Sequence, residues 1–403
     1  MRKDVASAAG SFKGGMKLGT RGPGESPRWR PCVDHSGPAV HEFARAHFGE
    51  AHRRILLVGG AGFDPRALTV ARLLAEVAGN RVKGVFLREE RPDAEEALVT
   101  RAEEQARDLL ALFSDVKIEN VRVFEDDRAV GLGRHVIDAV AGVDLAAHTD
   151  IVVDFSALSI GSSFPVTRWL LESLEARSCR GGTDSGPPTV VNLHAFVTAS
   201  PATDSRIVSQ PSSVVGPVHG FRGRLDIDEK ARAARLWMPQ LRLKNTELLR
   251  QVHSFLGPHD VVPVLPFPAH EPRAGDRLIE HYAEEFDRWE VDARSIVYAD
   301  EKNPLDYYRT VLRIHDGRYP VFEKTGGSLL ILSPLGSKVL ALGGMMAAVE
   351  RDLPVVYVEA LSYDADLTSL EDVQYTSSDL VHVWLFGEAY PPPVVMPPGA
   401  RGA

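Results

Sequence analysis

Cysteine is nearly missing: Cys32 and Cys179 are the only two in 403 residues. Two thiols cannot build a disulfide scaffold, and neither stands in a metal-ligand spacing. No apolar run reaches the roughly eighteen residues that cross a bilayer. The N-terminus carries Arg2, Lys3 and Lys13, but a small-residue stretch follows instead of an apolar signal core. A soluble, cytoplasmic protein without a membrane partner is expected. Positive charge is also in short supply. The formal net charge of −9 gives no general reason to bind nucleic acid and leaves room only for a local basic groove.

What remains is ordinary globular material, 44% apolar and 25% charged, long enough for two or three domains. Arginine outweighs lysine and alanine is plentiful, a usage that suits a GC-rich bacterium. Residues 1–50, rich in Gly, Pro, Ser and Arg, have little to bury and are expected to be an N-terminal extension, partly disordered, with order beginning near Arg53. Short apolar runs at 53–60, 82–87, 116–124, 150–158 and 189–200 then alternate with helical periodicity at 66–79, 93–113, 135–145 and around 166–174. A glycine-rich loop at 180–188 precedes the last run. Continuous apolar strands alternating with helices indicate a parallel sheet covered on both faces, so 51–200 is expected to be a Rossmann-like domain. Residues 201–390 are expected to form a second α/β domain, with helices at 245–257, 275–289 and 303–317 and strands at 260–268, 293–300, 326–334 and 353–360. Residues 204–230 read as loop with small strand pieces. The proline-rich 391–403 is expected to be a disordered tail. The predicted fold class is α/β, two Rossmann-like parallel-sheet halves packed around a cleft.

Four polar loops carry the candidate chemistry. The first, residues 59–66, reads Gly-Gly-Ala-Gly-Phe-Asp-Pro-Arg between a strand and a helix, where a parallel sheet leaves its ligand crevice. Gly60, Gly62, Asp64 and Arg66 are candidate nucleotide contacts. Pro65 breaks the G-x-G-x-x-G spacing and Asp64 would repel a phosphate, which speaks against a nicotinamide dinucleotide; Asp64 capping a helix that starts at Pro65 is the structural alternative. Glu89 and Glu90, at the end of the next strand, stand where a ribose could be held. The second loop holds Ser333, Gly336, Ser337 and Lys338, without the upstream glycine or downstream hydroxyl of a Walker motif. A glycine and a lysine opening a helix can receive a phosphate or carboxylate; a tight strand-to-helix turn is the alternative.

The third loop, 154–163, contains Ser156. No G-x-S-x-G elbow supports a nucleophile there, so helix capping or a hydroxyl contact to a ligand is expected. His194, within a strand, reads as structural. The fourth set is dispersed over "HGFRGRLD" (His219, Arg222, Arg224, Asp226), "PAHEPRAGDR" and "YADEKNPLDYYR". From it, His270, Glu271 and Asp300 are the candidate acid–base groups, with salt-bridged loops as the alternative. His270 and Glu271 lack a second histidine at the zinc-protease spacing, so no metal site is expected.

The stretch "SPLGSKVLALGGMMAA" after a strand resembles the threonine/serine-glycine-x-lysine loop of the CARF-type sensor domains of prokaryotic defence proteins. It departs from the Thr-Gly-Gly-Thr-Lys-like form at Pro334, which removes one N–H donor. The resemblance implies a Rossmann-like domain in which Ser337 and Lys338 contact a nucleotide, with residues 60–64 as the opposing wall. The function expected on these grounds is binding of a nucleotide or phosphorylated small molecule in an interdomain cleft, as a sensor or accessory subunit in bacterial antiviral defence. The alternatives are a nucleotide-directed hydrolase or nucleosidase, and a non-catalytic scaffold for a protein partner. A homo-oligomer is compatible with each, and no cofactor is specified.

Overall fold

The computed structural model of the protein describes residues 21–180, 190–223, 233–257 and 259–390. The expectations for residues 1–20, for nearly all of the 180–188 loop, for Arg224 and Asp226, and for the tail 391–403 lie outside the described residues.

The chain begins β1 (Asp34–Ser36), α1 (Pro38–His47), β2 (Ile55–Gly60), α2 (Ala67–Ala78), β3 (Val82–Glu90), α3 (Glu96–Leu112), β4 (Asp115–Arg122), α4 (Leu132–Ala141), β5 (Asp150–Asp154), α5 (Ile160–Arg180) and β6 (Asn192–Thr198). It continues α6 (Pro201–Arg206), β7 (Ile207–Pro217), β8 (Ala234–Pro239), α7 (Thr246–Leu256), β9 (Asp260–Val261), β10 (Val264–Pro266), α8 (Ala274–His281), α9 (Ala283–Arg288) and β11 (Val297–Ala299). It ends α10 (Pro304–Phe322), β12 (Ser328–Ser333), α11 (Lys338–Arg351), β13 (Val356–Ala365), α12 (Leu367–Glu371) and β14 (Leu380–Phe386).

The fold is mixed α/β. A seven-stranded sheet has the order β1-β14-β6-β5-β2-β3-β4. Strands β2 to β6 are mutually parallel, while β14 runs antiparallel to β6 and β1 antiparallel to β14. Taking β2 as the first parallel strand, the order from β4 to β6 is the doubly wound 3-2-1-4-5, which reverses direction between β2 and β5. A smaller parallel sheet, β12-β8-β9, is prolonged through the bridge from Gln240 to Val264 into the parallel pair β10-β11. Its connections wind both ways from β8, so a second reversal point lies between β8 and β12. An antiparallel ribbon of β7 and β13 joins the two parts of the chain.

The helices form because apolar residues recur on one stripe. In α3, Leu98, Ala102, Gln105, Ala106 and Leu109 are buried while the charged residues stay outside. Strands β2, β5 and β6 are buried at every residue, as strands covered on both faces must be. One apolar core runs continuously from Leu56, Val153 and Phe164 to Met238, Leu330 and Met345, tying the large sheet to the small one.

Order begins well before Arg53. Trp29 is 2% exposed and donates from Nε1 to the Leu385 carbonyl at 2.9 Å. Strand β1 edges the large sheet, and α1 buries Val40 and Ala44 against it. Strand β14, in the stretch expected to belong to a second domain, pairs with β6 of the large sheet. Residues 207–217, read as loop, form a strand of eleven residues. Helix α5 starts at Ile160, earlier than expected, with Pro165 inside it; Ser163 Oγ and Thr167 Oγ1 donate to the carbonyls of Ser159 (2.8 Å) and Ser163 (2.7 Å) around the proline.

Candidate functional site

Ligands of open parallel sheets bind beyond the carboxyl ends of the strands, where strand order reverses. Here both reversal points open onto one cavity of about 350 Å³. Its wall includes Gly62, Asp64 and Arg66 after β2, Glu89 and Arg91 at the end of β3, Leu158 and Ser159 after β5, Arg242 and Lys244 after β8, and Gly336 and Lys338 after β12. Leu98, Leu248, Tyr357 and Tyr363 give it an apolar side. The loops at 59–66 and 333–338, picked out separately in the sequence, therefore meet.

The cavity's cations fall into two sets, and the acidic Glu90 and Glu95 also line it. Arg66, 2% exposed, is held by Asp64 at 2.6 Å and Asp204 at 3.0 Å. Burial opposes its charge, yet the two carboxylates raise its pKa. Arg91 lies 2.6 Å from Glu89 and 3.6 Å from Glu359 and stacks on the Tyr363 ring with 4.8 Å to the centroid. Arg88 reaches Glu103 at 3.3 Å. These arginines already have their counter-ions.

The second set makes no contact ion pair, although Asp204 interacts with both Arg242 and Lys338, and Asp64 and Glu89 also favour the Lys338 charge. Among the described residues no carboxylate stands within ion-pairing distance of Arg242, Lys244 or Lys338. Lys244 Nζ donates to the Ser205 carbonyl at 2.9 Å, and Lys338 Nζ donates to the Leu158 carbonyl. Burial, then the neighbouring Arg66 charge, lower the pKa of Lys338. Helix starts follow the same division. Asp64 accepts from the Arg66 N–H at the start of α2 (3.0 Å), and Glu89 from the Ser159 N–H at the start of α5 (3.0 Å), so both N-termini hold carboxylates of the protein. The starts of α7 and α11 face the cavity at Asn245 and Lys338: Ser337 Oγ caps α11 by accepting from the Leu340 N–H, whereas Asn245 makes no side-chain cap to α7, its Nδ2 donating to the Leu335 carbonyl instead, and Glu247 stands in the first turn of that helix. Positive side chains and the positive end of α11, which has no acidic residue in its first turn, thus coincide on this side.

Several candidates have structural places instead. Ser333 Oγ accepts from Trp237 Nε1 and donates to the Val356 carbonyl, both at 2.9 Å, and is fully buried. Ser156 Oγ is taken up by Asp154 (2.5 Å) and Thr198 (3.1 Å). Gly60 lies where a Cβ would stand 2.9 Å from the Ala157 carbonyl oxygen, so it is a close-packing glycine. None of these three lines the cavity. Asp154, buried beneath it, has its pKa pushed up to about 7 by burial, against the hydrogen bonds from Ser156.

Ser337 lines a neighbouring cavity of about 190 Å³ with His270, Glu271 and Glu301. Asp204, Arg242, Lys244 and Gly336 border both. His270 donates its backbone N–H to Glu301 Oε2 at 2.7 Å, and Glu271 is paired with Arg277. Asp300 lines neither cavity; its Oδ1 accepts from the Lys302 N–H at 2.9 Å. His270 and Glu271 thus share a cavity wall that Asp300 does not line, and the three turn to different local partners.

Sequence reasoning missed Arg91, Asp204, Arg242 and Lys244, which belong to no motif. It also missed a buried group of His47, Asp150 and His194, whose members are dispersed along the chain with no metal-like spacing. Periodicity signals faces of elements and is silent about such convergence.

No family model matches the sequence, and no curated protein matches it. Among solved structures, the chain is similar to a putative universal stress protein from Pseudomonas aeruginosa UCBPP-PA14 at 12% identity, covering 80% of this chain and 97% of that one, with a TM-score of 0.20. It is similar at the same identity and TM-score to a functionally unknown protein from Pseudomonas aeruginosa PAO1, covering 80% and 96%. A TM-score of 0.20 supports no statement about function.

Proposed function

We propose that the chain binds a nucleotide or another phosphorylated small molecule in the 350 Å³ cavity, and that it acts as a sensor without turning the ligand over. The observation that carries this reading is Lys338: a half-buried lysine at a helix start, without a carboxylate partner among the described residues, beside Arg242 and Lys244. Burial outweighs the pull of Asp204, Asp64 and Glu89 on this charge, and an incoming phosphate would supply the direct contact that these carboxylates do not make. The apolar side, with Leu98, Leu248 and Tyr357, suits the uncharged body of such a ligand.

In this reading the molecule consists of two Rossmann-like units around a cleft, roughly 51–200 and 201–390, with β14 returned to the first. Asp300 lines neither cavity and Glu271 is paired with Arg277, which favours binding over hydrolysis. A place in bacterial defence rests on the likeness of the 333–348 segment to the CARF-type loop. The test is native mass spectrometry of protein purified from cells, before and after incubation with a nucleotide pool. A bound mass that Lys338→Ala loses supports the proposal. A chain that stays bare throughout refutes it.

A further inference from the structure

We propose that His47, Asp150 and His194 form a site for a zinc-class divalent cation at the amino ends of the parallel strands, the opposite end of the sheet from the cavity. His47 closes α1, Asp150 opens β5 and His194 lies in β6. Their ligand atoms all lie within 4.8 Å of one another. The two imidazoles turn the same nitrogen, Nε2, towards the same oxygen, Asp150 Oδ1, at 2.7 Å and 3.2 Å. Asn192 Nδ2 adds a third contact to that oxygen at 3.0 Å, and an Arg53 guanidinium nitrogen stands 3.7 Å away. One carboxylate oxygen thus draws three nitrogen donors and a cation, more than its lone pairs serve well.

The donor set fits the metal. Two imidazoles and one carboxylate suit zinc, with a fourth position left to water. Asp150 Oδ2 is fixed by Thr149 Oγ1 at 2.6 Å, the kind of outer contact that orients a ligating carboxylate. Arg53 does not bar a cation, because Glu388 takes its guanidinium in a fork of two 3.0 Å bonds.

A chain of rings behind His194 makes the idea decidable. His194 Nδ1 is 3.0 Å from His382 Nε2, and His382 Nδ1 is 3.0 Å from His35 Nδ1. Without a metal, every ring is satisfied when protons are donated towards Asp150: His35 to His382, His382 to His194, and His194 Nε2–H to the carboxylate. A metal on His194 Nε2 moves that ring's proton to Nδ1 and reverses the chain, so that donation runs outward to His35. The bound ion would pin α1 to β5 and β6, a structural role.

The experiment is to strip the full chain with a chelator, titrate it with zinc, count bound metal by elemental mass spectrometry and follow the melting temperature. In parallel, the ring nitrogens of His194 are observed by NMR. The expected result is one zinc per chain, a higher melting temperature and a His194 proton that moves from Nε2 to Nδ1. His47→Ala and Asp150→Asn should each weaken zinc binding roughly tenfold or more, while His270→Ala leaves it intact. Wild-type chain that takes up no zinc overturns the proposal without recourse to any variant. So does zinc uptake that leaves the His194 tautomer unmoved.

Discussion

The Lys338 amine donates a hydrogen bond to the carbonyl of Leu158, 180 residues away in the chain. That bond joins the start of α11, in the smaller sheet's half of the chain, to the loop after β5 of the large sheet. The residue proposed to meet the ligand's charge is therefore also a link across the cavity wall. It holds its positive charge where burial and Arg66 both disfavour it.

Replacing this lysine should separate stability from binding. Lys338→Met keeps the stem and removes the disfavoured charge. The melting temperature is expected to change little, because removing the disfavoured charge offsets the loss of the bond to the Leu158 carbonyl, while the retention of nucleotide falls at least roughly tenfold, the loss expected for one charge-assisted contact. Thermal melts with and without nucleotide check both halves.

Arg66 should behave in the opposite way. Its guanidinium is the shared counter-ion of Asp64 and Asp204. Arg66→Met would leave two carboxylates short of their partner, at a cost of about 3–5 kcal/mol. Chemical denaturation should show that loss in the absence of any ligand.

Asp154 gives stability a pH dependence of definite sign. Its folded pKa of about 7 lies above the ordinary 3.8, so between these values the folded chain holds a proton that the unfolded chain has released. This contribution is complete below about pH 4 and is lost as the pH rises through 7. Asp154→Asn keeps an oxygen to accept from the Ser156 N–H and Oγ and removes the titration. The variant should melt higher than wild type at pH 8, with a flatter profile between pH 4 and 7. A variant with the wild-type slope would show that Asp154 ionises normally.

Helix α11 packs on α10 through a glycine. A Cβ on Gly343 would stand 2.2 Å from the Pro304 carbonyl oxygen, which belongs to the backbone and cannot swing aside. Gly343→Ala should destabilise the chain by about 1–3 kcal/mol, measured by denaturant unfolding.

These residues also show how far the sequence could be read. The run at 55–60 and the stripe in α3 were legible because burial on one or both faces writes itself as periodicity. The loops at 59–66 and 333–338 were legible because glycine at a strand-to-helix turn has few other uses. Strand β14 was missed although "LVHVWLF" is apolar, since its pairing with β6 joins residues far apart in sequence. His194 read singly as structural and His382 was not singled out; only the sheet order brings the two together. Lys338 stood out because it follows Gly336 in a strand-to-helix loop, whereas Arg242 and Lys244, on a loop without a motif, did not.

The most direct test of the binding proposal is calorimetric titration of the wild type and of Lys338→Ala with nucleoside mono-, di- and triphosphates in turn. The expected result is saturable binding of at least one of them by the wild type, weakened roughly tenfold or more in the variant. Heats of dilution alone for every wild-type titration, or equal affinity in the two proteins, would contradict it.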